Sequence, residues 1–262
     1  MSQSNKLALK DLENMFQDIS EIKLNMYDLG GDPPVKVHLV YSEGMIRTFQ
    51  INDFILPRLQ QVLPEIDGGR RLNERMNAAR VEDPSGIDQL VFSGLLILFF
   101  EQTGDIYAID ISDIPQRQPQ ESSAEISIKG PRDAFVEELI ANIALVRKRL
   151  RTASLCTERF TIGVRSQTGV ALLYIRDIAN PQFVEEARRR LNSINIDIMG
   201  GSAVLEEWLG DDPYSLFPLV SYSTRPDFVA DALIRGRIAV LADGMPNAVI
   251  APANLLMMLR SP

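Results

Sequence analysis

A single cysteine, Cys156, and a single histidine, His38, occur in a chain of 262 residues, and these two scarcities exclude a good deal of chemistry. One cysteine closes no intramolecular disulfide, so the fold must rest on packing, and such usage fits a reducing compartment. It also offers no second thiol and no nearby imidazole from which to build a zinc site, so neither a metal nor a cofactor is expected. A Ser-His-Asp or Cys-His nucleophile would have to be assembled on His38, which falls inside a predicted strand and reads as a packed residue. There is no GxxxxGK[ST] loop and no GxGxxG after a strand, and the Gly-Gly pairs read as turns. The chain is not expected to be an enzyme.

Long apolar runs are missing too. The longest, Leu90 to Phe100, contains Ser93 and Gly94 and falls well short of the roughly 20 residues that cross a bilayer. The start, MSQSNKLALKDLENMF, is interrupted by Lys6, Lys10 and Asp11 and does not read as a signal peptide. As given, the chain is expected to be soluble. Positive charge is also scarce. The net charge is −8, carried by residues 1–129, whereas residues 130–262 balance. That distribution argues against nucleic acid as a partner and against docking on anionic lipid by charge alone.

What is present is a globular composition, 45% hydrophobic and 24% charged, in a length that suits one large domain or two small ones. The order of elements favours two. Strand-like Glu21 to Tyr27 and Val35 to Tyr41 are followed by a helical Ile51 to Leu63 that kinks or restarts at Pro57, and Arg70 to Ala79 is polar and reads as irregular at first. A short helix from Pro84 to Phe92 ends at Gly94, and strands Leu95 to Phe100 and Ile106 to Ile111 flank Thr103-Gly104-Asp105. The same order returns: strands Phe160 to Arg165 and Val170 to Ile175, a helix from Pro181 to Leu191, a helix from Phe228 to Ile234 ended by Gly236, then strands Ile238 to Leu241 and Ala248 to Ile250 around Asp243-Gly244.

A repeat of this length implies two similar lobes, each a mixed β-sheet with helices, in the α/β class. The expected division is 1–126 and 127–262, with a Gln/Pro/Ser-rich linker over about 112–125. Between the lobes, Ser127 to Arg151 predicts a central amphipathic helix opening near Pro131, with Phe135, Leu139, Ile143, Val146 and Leu150 on one face. Its charge order, acidic first and basic last, suits the helix dipole.

Two sets of charged residues are candidates for function. Arg132, Arg225, Asp227 and Asp243 sit at helix starts and strand ends, where α/β proteins tend to bind ligands in a crevice; Thr224 would cap the helix that begins there. Arg147 and Arg149, near the end of the central helix, are candidates for assembly or signal relay, with charge reversal expected to leave the fold intact. Arg188 to Arg190 reads as dipole complement, and Glu185, Glu186, Glu206 and Glu207 as polar helix faces.

Three long blocks carry a resemblance: GPRDAFVEELIANIALVRKRLR (Gly130 to Arg151), LLYIRDIANPQFVEEARRRLNSINID (Leu172 to Asp197) and STRPDFVADALIRGRIAVLADGMPNAVIAP (Ser223 to Pro252). LVFSGLLILFFEQTGDIYAIDI adds a looser match in the first lobe. In these the chain resembles the spore germinant receptor A-subunit (GerA) family. The resemblance implies the soluble N-terminal domain of a receptor subunit whose transmembrane helices lie beyond it. It implies the inner membrane of a bacterial spore, with this domain on the cytoplasmic, core side. Implied partners are B and C subunits and a possible homo-oligomer, and the implied roles are nutrient sensing, assembly and relay. The alternative is a binding module that holds the nutrient between the lobes.

Overall fold

A computed structural model describes residues 7–30, 34–62, 70–115, 133–201, 205 and 220–252, with the backbone alone for 70, 71 and 74. The chain divides into two units, Met1–Ile114 with Arg151–Ala153, and Pro115–Leu150 with Ser154–Pro262. The expected boundary at 126 and most of the expected linker fall outside the described residues. Ser112 and Asp113 do not behave as linker: Ser112 bridges Ile46, and Asp113 N donates to Met45 O.

The first unit is a five-stranded sheet: β1 (Ile22–Leu29), β2 (Val35–Ser42), β3 (Ala79–Arg80), β4 (Leu95–Phe100) and β5 (Ile106–Asp110), in the order β1-β2-β4-β5-β3. Every pairing is antiparallel, so strand directions alternate and do not mix. Side chains alternate across a strand, and both faces are covered. Val37, Leu39, Leu96 and Leu98 meet α2 (Leu56–Val62) and α3 (Arg70–Met76), while Val40, Ile97 and Phe99 meet α1 (Leu9–Phe16) and α4 (Ile87–Val91). Each such side chain taken from water contributes about 1.5–3 kcal/mol, which is why the strands read as continuous apolar runs.

Pro57 has the predicted effect and shows how. It has no N–H to donate, and its ring crowds the carbonyl four residues back, so an ordinary turn cannot run through it. Ile51–Ile55 instead forms a wide π turn, with Leu56 N donating to Ile51 O, and the α-helix restarts at Leu56. Residues Arg70–Met76, expected to be irregular, are helical. Leu72 and Met76 are buried in the core, so tertiary packing stabilises a turn whose polar composition hid it.

The second unit repeats the design with β6 (Leu155–Ile162), β7 (Thr168–Ile175), β8 (Ser221–Ser223), β9 (Ile238–Ala242) and β10 (Ala248–Ala251), ordered β6-β7-β9-β10-β8 and antiparallel throughout. One face packs on α6 (Pro181–Ser193) through Val184, Ala187 and Leu191; the other packs on α5 (Leu139–Arg147) and α7 (Pro226–Ile234). The α/β class and the pair of similar lobes hold. Strand β6 lies five residues earlier than expected at its start and stops at Gly163, whose φ of +92° turns the chain. Arg165 is therefore in the turn, facing Asp197.

The predicted central helix is the largest correction. Its described part begins only at Leu139, and residues 133–138 are not helical. Pro131 lies outside the described residues.

Candidate functional site

The segment 133–138 is held across the start of α7 and the β9–β10 turn by bonds that replace a helix's own. Phe135 N donates to Thr224 O at 2.8 Å, and Gly244 N donates to Glu137 O at 2.7 Å. Asn142, fully buried within α5, turns its amide back on the segment: Val136 N donates to Asn142 Oδ1 at 2.8 Å, and Asn142 Nδ2 donates to Val136 O at 2.6 Å. Leu139 N, the first orphan donor of α5, donates to Asp243 Oδ1 at 3.0 Å. A carboxylate at a helix start is favoured by the dipole as well as by the hydrogen bond. Asp243 N in turn donates to Gly169 O, which fixes the turn to β7. At the other end, Asp133 accepts from Arg149 Nη2 at 3.0 Å, and Lys148 Nζ stands 3.9 Å away.

Three of the four candidate ligand residues are thus engaged within the second unit. Arg225 closes on Asp227 through two bonds, Nε to Oδ1 at 3.2 Å and Nη2 to Oδ2 at 2.6 Å. Asp243 holds the start of α5. Arg132 lies outside the described residues. The strap joins the Thr224 and Asp243 neighbourhoods, gripping one at Phe135 and the other at Glu137. Thr224 is not the cap of α7: Arg225 occupies that position, and its N–H donates to Ser223 Oγ. Thr224 Oγ1 is buried and has no hydrogen-bond partner among the described residues.

Arg147 and Arg149 are not free surface charges. Arg147 has no exposed surface and donates from Nη2 to Leu155 O at 2.9 Å. Charge reversal at Arg147 would bury a carboxylate facing a carbonyl, which corrects the expectation of an intact fold. Arg149 spends its guanidinium on Asp133 and on Leu145 O.

A second polar network ties α6 to its sheet. Arg188 clasps Glu158 with Nε to Oε2 at 2.7 Å and Nη2 to Oε1 at 2.6 Å, and Tyr174 Oη donates to the same carboxylate at 2.8 Å. Arg188 holds Glu158 below the usual carboxylate range, with burial opposing and Tyr174 adding to it. Arg188 also meets Glu185, while Arg189 and Arg190 pair with Glu186. Of the three arginines Arg188 joins α6 to the sheet, whereas the pairs of Arg189 and Arg190 with Glu186 lie within the helix. His38 is buried, with Nε2 at 3.1 Å from Glu101 Oε2.

Sequence reasoning missed Asn142 and the carboxylate cap from Asp243. An amide in an otherwise apolar helix stripe was the available signal for the first. For the second there was none, since its partner is 104 residues away. Among the described residues, no group of three or more His, Cys, Asp or Glu is placed to hold a metal, and no helix is long and apolar enough to cross a membrane.

Comparison with known proteins agrees with this architecture. A solved structure, the N-terminal domain of the A subunit of the Bacillus megaterium spore germinant receptor GerK3, superposes with a TM-score of 0.72 at 27% identity, covering 97% of this chain and 98% of that one. Spore germination protein B1 of Bacillus subtilis is 33% identical over 237 residues, 88% of this chain and 49% of that protein. Spore germination protein XA of Bacillus anthracis is 44% identical over 168 residues, 64% of this chain and 34% of that protein. The chain therefore spans half or less of the length of these relatives. The family model for the Bacillus/Clostridium GerA spore germination protein matches residues 10–262, and the chain belongs to that family.

Proposed function

We propose that this chain is the N-terminal domain of a spore germinant receptor A subunit, and that it serves in assembly and signal relay and performs no catalysis. In that role it works with B and C subunits at the inner membrane of the spore, on the cytoplasmic side, with the membrane-spanning part of the subunit lying beyond it. The observation that carries the reading is the engagement of its candidate ligand groups. Arg225 is closed on Asp227 and Asp243 on Leu139 N, so these charges stabilise internal geometry. A relay needs a shape that two sites can bias, and a strap fixed at several points supplies one.

The competing reading is a nutrient-binding module, with Arg132 contributing alongside Arg225, Asp227 and Asp243. A thermal-shift screen of the chain against amino acids, sugars, nucleosides and inorganic cations separates the two. A ligand at about 100 times its Kd stabilises the folded state by roughly 2.7 kcal/mol. A flat screen to millimolar concentrations is the expected result. A saturable shift confined to one chemical class would replace relay with direct sensing by this domain.

A further inference from the structure

We propose that residues 133–138 are a two-state segment: a non-helical strap in the state described above, and an N-terminal extension of α5 in the other. The motivation is a conflict between local sequence and tertiary structure. Asp133-Ala-Phe-Val-Glu-Glu138 contains neither glycine nor proline, and Ala134, Glu137 and Glu138 are strong helix formers. Phe135 continues the apolar row of Leu139 and Ile143 at four-residue spacing, and Asp133, Glu137 and Glu138 would place negative charge at the new helix start. Yet Glu138, the residue before α5, has extended backbone at φ −81° and ψ 119°.

What opposes the helix is the burial of Ala134 and Phe135, the latter packed with Leu139 and Ile143, and five hydrogen bonds made by four groups outside the segment: Thr224 O, Gly244 N, the Asn142 amide and the Asp243 carboxylate. Conflicts of this kind between local preference and global fold are where bistable elements are found. All four restraints belong to two loops and one helix of the second unit, so a modest movement of the β9–β10 turn away from α5 releases Glu137 and Leu139 together. Once Leu139 N loses its carboxylate, its natural replacement acceptor is the carbonyl of residue 135, which adds the first turn.

The change has a stroke. Asp133 now sits beside Arg149 and Lys148, just past the C-terminal end of α5, whereas six residues added as helix would carry residue 133 about 9 Å beyond Leu139 at the opposite end. The change would also break the Asp133–Arg149 pair, coupling the two ends of α5.

This inference rests on the relay reading, and the test separates them. In the 262-residue chain, the double variant Asn142→Ala, Asp243→Ala removes the side-chain restraints while leaving the strap's own sequence unchanged. Backbone carbon chemical shifts of residues 134–138 are expected to move to helical values, with hydrogen exchange at Gly244 accelerated about tenfold or more. Shifts that stay at the values of the unaltered chain, or that become those of random coil, overturn the proposal. If the double variant does not fold, saturation-transfer NMR on the unaltered chain decides. A minor state with helical shifts at 134–138 supports the switch, and flat profiles at those amides overturn it. Spores carrying the same double variant in the full-length receptor test the relay reading separately. A helical strap with unchanged germination would keep the switch and remove its role.

Discussion

The two units share a strand order and differ in what fills it. The first is aromatic: Phe16 meets Phe92 edge-on at 6.0 Å, and Phe100 meets Tyr107 at 5.7 Å. The second is built from small and aliphatic residues, with Ala171, Ala187, Ala232, Ala239, Ala242 and Ala248 all buried. The second ties α6 to its sheet with the Arg188–Glu158–Tyr174 clasp, and each unit buries a charged residue, Glu21 in the first and Arg147 in the second. One topology therefore tolerates two kinds of interior. What recurs is the turn chemistry: Gly94 and Gly236 both stand between a helix and the strand that follows, at φ +86° and +81°, and Gly104 and Gly244 both turn a hairpin at +70° and +77°. Backbone sign, more than core identity, is what the duplication preserves.

The sharpest way to break this comparison is at Arg147. Arg147→Glu should cost about 3–5 kcal/mol or more, since it leaves an uncompensated buried charge. Hydrogen exchange read peptide by peptide should show protection lost across β6 and α5 while β2 and β4 keep theirs. Equal loss in both sheets would mean that the units share one cooperative transition.

The matched glycines give a graded test. A Cβ on Gly94 would lie 2.6 Å from Ser112 Cβ and 2.8 Å from Met45 O, whereas on Gly236 its nearest neighbour is Ile178 O at 3.2 Å. Both replacements pay about 1–2 kcal/mol for a left-handed alanine, and Gly94→Ala adds about 1–3 kcal/mol of overpacking. Denaturant midpoints should fall further for Gly94→Ala than for Gly236→Ala, and the reverse order would contradict the described packing.

The smallest effect concerns acid. Glu158 titrates below the ordinary carboxylate range when folded, chiefly because of Arg188, so its contribution is present at neutral pH and lost as pH falls from about 4 through that lower folded value. Glu158→Gln should cost about 1–3 kcal/mol at pH 7 and flatten the acid limb of stability in the second unit. In the first unit the depressed carboxyls, Asp83 and Asp110, are held by serines in surface turns, so its acid limb should change less steeply.

Much of this was legible in the chain. Leu95 to Phe100 read as a strand from its unbroken apolar run, Pro181 marked the start of α6, and paired glycines exposed the repeat. β3 and β8 were not legible, because two or three residues carry no period. The strap was misread for a more instructive reason. Its local pattern is helical, and what overrides it arrives from Thr224 and Asp243, far along the chain. For the candidate site, Arg225, Asp227 and Asp243 lie at the expected helix start and turn, but their partners could not be read. Arg147 misled because a basic residue at a helix end looks like dipole complement whether it faces water or a carbonyl.

Arg151–Ala153 belongs to the first unit although the residues on both sides belong to the second. Ala153 N donates to Asp88 there, and Arg151 reaches Ser93 Oγ at 3.2 Å. The first unit is therefore discontinuous in sequence, and no single cut in the chain yields both halves whole. A fragment that ends before Arg151 would lack a piece of the first unit, so its boundaries have to be drawn past the start of the second.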